Sequence, residues 1–380
     1  MLDFTFYNPT KVLFGKDTIG QIGSQIAQLG YKRVLLMAGG GSIKTNGVYE
    51  TVSESLRLAD ISVTEFWGIQ PNPTLERVRD AIDDALAEEV DAILAVGGGS
   101  VIDSAKAVAA GVYFDDVWTA FEAAKPIEQA LPIFVVLTLS ATGSEANGTA
   151  VVTHEGENKK WPIKGPALSP KVSIIDPSVQ KHLPSRQTVN GAVDTLSHLM
   201  EFYFLGTTQE STIATNESLM RTVIGCMDVL YADPLNYTAR SNLAWSSTLA
   251  LNGVAGASLR GGDWCTHLLE HAISALFTTV AHAEGLAVMF PAWIRASWEQ
   301  NPDQFLRWAR NVWHADTVEQ GIQNMQAHYE KWGAPITLGD IGIKSRDIPA
   351  LVENVMQRGE PGNLWKLSAR DVEAVFRLAL

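Results

Sequence analysis

The residues best suited to chemistry are histidines paired with a carboxylate. Of eight histidines in the chain, His198, His267, His271 and His282 lie close together in its second half. Asp194 and His198 are four apart in the helically periodic stretch 189–201, so they share one face of a helix. His267 and His271 repeat that spacing, and His282 follows a short apolar stretch. One carboxylate with several imidazoles is a suitable donor set for a borderline divalent ion such as Fe²⁺ or Zn²⁺. A single pair on an apolar helix is more often core; the weight lies in two pairs plus His282. Cys265, two residues before His267, reads as a small buried residue rather than a thiolate ligand.

A second kind of chemistry is suggested by glycine. The stretch Ala95-Val96-Gly97-Gly98-Gly99-Ser100-Val101-Ile102-Asp103-Ser104-Ala105-Lys106 runs from an apolar strand through three glycines into a helix. Such a loop lets backbone approach a pyrophosphate, and the helix start supplies free N–H groups. An ordinary tight turn is the competing reading. A second loop, Gly39-Gly40-Gly41-Ser42-Ile43-Lys44, follows the apolar run 34–37. Dinucleotide folds often place an acidic residue there to hold the adenosine ribose, yet none occurs between Arg33 and Glu50. Hydroxyl, amide and ammonium groups suit a 2′-phosphate instead, which favours NADP(H).

These residues need elements to hold them. From residue 17 to about 180, short apolar runs (34–37, 61–67, 92–96, 131–139, 149–153, 172–175) alternate with amphipathic segments, the pattern of a mostly parallel sheet covered by helices. After Leu183-Pro184 the strand signal ends and helical periodicity takes over. Thr317 with Gln320 and Ser368 with Asp371 read as helix starts, and Gly333 as a helix end. The expected division is a dinucleotide-binding domain over 1–180 and an all-helical metal-binding domain over 181–380.

Composition bounds the partners. Lys and Arg number 29 against 42 Asp and Glu, a net charge of −13. With no basic run, nucleic acid and anionic membranes are not expected ligands. Cys226 and Cys265 cannot form a disulfide framework. The opening Met-Leu-Asp-Phe-Thr-Phe-Tyr lacks the plan of a signal peptide, and a cytoplasmic protein is expected.

Taken in order, the motifs resemble the iron-containing (group III) alcohol dehydrogenases across nearly the whole chain. They are Pro9-Thr10-Lys11-Val12-Leu13-Phe14-Gly15, Pro71-Asn72-Pro73, Gly97-Gly98-Gly99-Ser100-x-x-Asp103-x-x-Lys106, and Thr138-x-x-x-Thr142-Gly143-Ser144-Glu145. Further along come Leu183-Pro184, Gly191-x-x-Asp194-x-x-x-His198-x-x-Glu201 and Asp263-Trp264-x-x-His267-x-x-x-His271. The loop 39–42 resembles that of the NADPH-preferring butanol dehydrogenase and broad-range aldehyde reductase branch.

The resemblance implies an α/β Rossmann-like N-terminal domain followed by an all-α domain, the architecture of dehydroquinate synthase. It implies a metal-dependent oxidoreductase that interconverts alcohols and aldehydes or ketones with NADP(H), aldehyde reduction being favoured. Asp194, His198, His267 and His282 match metal ligands for Fe²⁺ or Zn²⁺. Gly40 and Ser42 match the 2′-phosphate site, and Gly98, Gly99 and Ser100 the pyrophosphate site. Asp103, Thr138 and Thr142 match positions beside the nicotinamide, Asn72 the adenosine half, and Lys160 the nicotinamide ribose. His271 matches a histidine near the metal, as a proton relay or as a hydrogen bond that orients a ligand; Asp103 and His271 are the expected catalytic residues. A homodimer is expected. Between His271 and His282 the spacing is one residue longer than usual, and Ala281 and Ala283 replace the customary neighbours of the last ligand. A lyase or synthase of the dehydroquinate synthase type is the alternative, disfavoured because segments 190–201 and 266–284 contain no Lys or Arg for a phosphorylated substrate.

Overall fold

The computed structural model describes residues 1–380. The chain forms two compact units, one of Tyr7–Leu183 with Leu235–Thr248, the other of Met1–Phe6, Pro184–Pro234 and Leu249–Leu380. No helix is long and apolar enough to cross a membrane.

The first unit is built on eight strands: β1 (Lys11–Phe14), β2 (Arg33–Ala38), β3 (Ser62–Phe66), β4 (Ala92–Gly97), β5 (Ile133–Leu137), β6 (Thr149–His154), β7 (Lys159–Lys164) and β8 (Val172–Ile175). Six form a sheet in the order β1-β8-β5-β4-β2-β3, paired in parallel throughout. Alternate side chains feed two cores, because successive residues of a strand face opposite ways. Leu35, Met37, Ile93, Ala95, Val135 and Leu137 enter one core, and Val34, Leu36, Leu94, Val96, Phe134 and Val136 the other. Burial on both faces explains why these strands read as unbroken apolar runs.

The chain steps outward from β2 to β3 and then returns to place β4 on the other side of β2. The gap between β2 and β4 is therefore a topological switch point, where open α/β sheets bind ligands at the carboxyl ends of their strands. Both glycine loops leave from those ends. The apolar run 149–153 belongs elsewhere: it is β6, which pairs antiparallel with β7 in a separate hairpin. Lys159 and Lys160 lie in β7.

The second unit is helical. Its principal helices include Ser185–Tyr203, Glu210–Ala232, Cys265–Leu276, His282–Ser297, Pro302–Trp313 and Val318–Trp332. Thr317 caps its helix by accepting from the Gln320 N–H at 3.2 Å, and Gly333 ends it with φ 87°, a conformation open to glycine. The Ser368 helix starts the same way, the Ser368 hydroxyl accepting from the Asp371 N–H at 3.4 Å while the Ser368 N–H donates to the Asp371 carboxylate at 3.0 Å. Pro291 lies inside the His282–Ser297 helix, where proline normally ends one; full burial of Phe290, Trp293 and Ile294 offsets that penalty.

Candidate functional site

In the helical unit, Asp194 and His198 stand one turn apart on the Ser185–Tyr203 helix, His267 and His271 one turn apart on Cys265–Leu276, and His282 opens the next helix. Ligand atoms of Asp194, His267 and His282 all lie within 4.8 Å of one another. Asp194 Oδ1 is 3.8 Å from His198 Nε2 and 3.8 Å from His282 Nε2, and the His198 and His267 rings are 5.0 Å apart. Donors around a tetrahedral ion at 2.0–2.2 Å are about 3.4 Å apart, so small side-chain shifts would close this set on an ion. Asp194 Oδ1 and His267 Nε2 are buried with no hydrogen-bond partner. Leaving such atoms unpaired costs about 1–3 kcal/mol each, and a cation at their convergence removes that cost. The donor set fits a divalent metal.

Protonation favours the same outcome. Burial pushes His198 down to about 4, and the neighbouring His267 and His282 act in the same direction, against Asp194. A neutral imidazole is the ligating form. His267 Nδ1 meets Glu201 Oε1 at 2.7 Å, and His282 Nδ1 is bonded to Glu270 Oε2. An ionised carboxylate only accepts, so each Nδ1 carries the hydrogen and each Nε2 lone pair faces the centre. His271 stays outside the Asp194 group. It clusters with Glu270 and His282, its ring 5.5 Å from that of His282. Between the helices that carry His271 and His282 the chain turns after Leu276, where Val280 N–H donates to Phe277 O at 2.9 Å.

In the α/β unit, most residues expected around a dinucleotide follow the carboxyl ends of β2, β4 and β5, while Asn72 follows β3 and Lys160 lies in β7. Gly98 precedes the Gly99–Gly111 helix, and Ser100 lies in its first turn. A Cβ on Gly99 would fall 2.4 Å from Thr142 Cγ2 and 2.6 Å from its Oγ1, so only glycine lets the loop after β5 close on this helix. Thr138 N–H donates to Gly97 O at 3.0 Å, extending the ladder beside the glycines. After β2, Gly40 and Ser42 are exposed. Lys44 is held over the Trp67 ring, 3.9 Å from its centroid. Lys160 is buried and its Nζ donates to Asn72 Oδ1 at 3.0 Å, which joins two of the expected contacts.

Beneath this surface is a buried polar lattice in which sequence reading gave a role to Asp103 alone. Lys106, 0% exposed, donates to Ser144 Oγ at 2.8 Å, Asn147 Oδ1 at 3.1 Å and Thr149 O at 2.8 Å. Ser144 in turn donates to Asp103 Oδ1 at 2.7 Å, and Val151 N–H donates to Asp103 Oδ2 at 3.0 Å. Burial pushes Lys106 down to about 8, partly offset by Asp103 and Glu145; burial likewise raises Asp103 against the pull of Lys106. Both Asp103 oxygens are thus committed to bracing the loop after β5 and the hairpin. Spacing offered one clue, since Asp103 and Lys106 share a helix face at i, i+3. Glu201 and Glu270 carried a comparable clue, each lying three residues beyond a candidate ligand, His198 or His267, on the same helix.

Comparison with known proteins gives the geometry a family. Residues 9–177 match the family described as iron-containing alcohol dehydrogenase, and 188–380 match the C-terminal part of the Fe-containing alcohol dehydrogenase family. The chain is 38% identical over 395 residues, covering 100% of both proteins, to the probable NADH-dependent butanol dehydrogenase 2 of Bacillus subtilis (strain 168). It is 34% identical over 371 residues, 94% of each, to an NADPH-dependent aldehyde reductase of Escherichia coli (strain K12). The crystal structure of NADH-dependent butanol dehydrogenase A from Thermotoga maritima superposes with a TM-score of 0.97 at 45% identity, covering 100% of this chain and 99% of that one. The chain belongs to the iron-containing alcohol dehydrogenase family and is an oxidoreductase that interconverts alcohols and aldehydes.

Proposed function

We propose that this oxidoreductase uses NADP(H) with one divalent ion, Fe²⁺ or Zn²⁺, held by Asp194, His198, His267 and His282, and that aldehyde reduction is its favoured direction. The observation that carries the reading is the convergence of Asp194 Oδ1 with the Nε2 atoms of His198 and His282, beside the buried, unpartnered Nε2 of His267. When bound, the nicotinamide supplies or accepts hydride and the metal polarises the substrate oxygen. The chain supplies position and protons. Thr138, Thr142, Gly98, Gly99 and Ser100 shape the floor on which the cofactor lies, while Lys160 and Asn72 secure its flank. Asp103 works through Ser144 and Val151, holding that floor in register. His271, beside His282, hands a proton to the oxygen that becomes the alcohol.

Preference for NADP(H) rests on loop 39–44, which offers glycine amides, the Ser42 hydroxyl and no carboxylate. Relatives of both cofactor types are similar to the chain, butanol dehydrogenases named NADH-dependent and an aldehyde reductase named NADPH-dependent. The two cysteines, buried and unpaired, support a reducing, cytoplasmic setting, and a homodimer is carried from the family resemblance.

Two variants test the reading in one assay of butanal reduction with both cofactors. His267→Ala should lose bound metal and turnover while retaining NADPH binding; full activity there would remove the metal assignment. Gly40→Asp tests the cofactor. A Cβ at Gly40 meets nothing within 4 Å, so the change is sterically free and acts by charge. It should weaken NADPH at least tenfold more than NADH, and equal weakening of both would refute the 2′-phosphate site.

A further inference from the structure

The structure assigns Glu270 and Gly285 a joint part in metal binding: Gly285 leaves the gap through which the Glu270 side chain reaches His282 and fixes that imidazole as an Nε2 ligand. This rests on the ligand set proposed above. His282 needs such help more than its companions. Asp194 and His198 are oriented by the interior of one helix, whereas His282 is the first residue of its helix, preceded by a turn and flanked by Ala281 and Ala283. Neither neighbour has a side chain able to hold the ring.

Glu270 supplies the hold from the facing helix. It is 0% exposed, and its Oε2 accepts from His282 Nδ1. That bond sets both the tautomer and the ring plane, leaving Nε2 directed at Asp194 Oδ1, 3.8 Å away. The approach depends on Gly285. A Cβ built there would sit 2.7 Å from Glu270 Cγ and 3.3 Å from Oε1, so any side chain would push the carboxylate off its path. His267 is held on the same plan by Glu201, which also accepts the backbone N–H groups of Trp264 and His267. Two carboxylates thus stand behind two imidazoles, raising their strength as ligands and restricting their rotation. Because Glu201 also ties backbone, Glu270 is the cleaner member to perturb.

The test is metal affinity in metal-free protein, titrated with Co²⁺ and with Zn²⁺ against a chromophoric chelator. Glu270→Ala should weaken binding about 10- to 100-fold and change the Co²⁺ visible spectrum as His282 leaves its place. Glu270→Gln keeps an oxygen that accepts from Nδ1, so it should stay much closer to wild type, and Gly285→Ala should fall between. NADPH binding and thermal unfolding of the metal-free variants report folding, so Glu270→Gln and Gly285→Ala decide the matter if Glu270→Ala fails to fold. Wild-type affinity and spectrum in Glu270→Ala and Gly285→Ala, with binding lost in His282→Ala, overturn the part given to Glu270 alone. Glu270→Gln as weak as Glu270→Ala overturns positioning in favour of bare charge. Undiminished binding in His282→Ala would instead bring down the ligand set itself.

Discussion

At the scale of single residues, the most demanding group is Lys106. A fully buried ammonium is tolerated only when its protons and charge are answered, and here Ser144, Asn147 and the Thr149 carbonyl take the protons. Asp103 and Glu145 answer the charge from nearby. Lys106→Met matches the volume but leaves both carboxylates buried without a counter-charge. Removing one partner of such a group typically costs about 3–5 kcal/mol. The variant should therefore unfold at markedly lower urea concentration, and adding Asp103→Asn should recover part of the loss. If Lys106→Met alone is as stable as wild type, the lattice does not hold the site. The helical pairs Asp194–His198 and His267–His271 were legible from spacing because i, i+4 neighbours are a property of one helix, but spacing gave no sign that His271 stands outside the group of Asp194, His267 and His282. The carboxylates behind them and the acceptors of Lys106 were not legible. Those contacts join residues 12 to 66 positions apart, so the i, i+3 spacings that hint at these charged groups do not say which partner each one meets.

At the scale of elements, the floor proposed for the cofactor is three strand ends and one hairpin locked together. The hairpin of β6 and β7 is bonded to the Gly99–Gly111 helix through Val151 and Asp103, and to the 71–73 loop through the Thr153 N–H and Pro73 O at 2.8 Å. Its position explains why Lys160 is buried rather than solvated. Sequence placed 149–153 as a strand but assigned it to the parallel sheet, since an apolar run does not say which sheet receives it. Strands β2, β4 and β5 were legible because burial on both faces leaves an apolar run, and β8 because Ser173 alone interrupts one. The edge strand β1, with exposed Lys11 and Phe14, had no such run. Closure of the floor can be tested at Gly99. Gly99→Ala drives a methyl into Thr142, and overpacking of this order costs about 1–3 kcal/mol. The expected result is a KM for NADPH raised tenfold or more with bound metal unchanged, since the ligands lie in the helical unit. Unaltered KM would show that the loop after β5 has room to move.

For the whole molecule, the boundary that sequence suggested near residue 180 is only part of the division. The chain begins in the helical unit, builds the α/β unit to Leu183, and later returns to it with Leu235–Thr248. Continuous helical periodicity through that stretch conceals the return, because a helix reads alike whichever core it faces. Its contribution is specific. Ala244 is fully buried in one core of the sheet, and Thr248 Oγ1 donates to the buried Glu145 Oε1 at 2.6 Å. Phe14 of the edge strand packs edge-on against Trp245, centroids 5.7 Å apart. A fragment of residues 1–183 therefore looks like a complete nucleotide domain by sequence but lacks a piece of its own core. In that fragment Glu145 keeps Lys106 nearby but loses its hydroxyl donor, and a buried carboxylate oxygen left without its hydrogen bond costs about 1–3 kcal/mol, a sizeable share of the 5–15 kcal/mol that holds a domain folded. The fragment should show no cooperative near-ultraviolet thermal transition, while joining 235–248 to it through a flexible linker should restore one along with NADPH binding. A sharp transition in 1–183 alone would mean the returning helix is an ornament on the α/β unit rather than part of it.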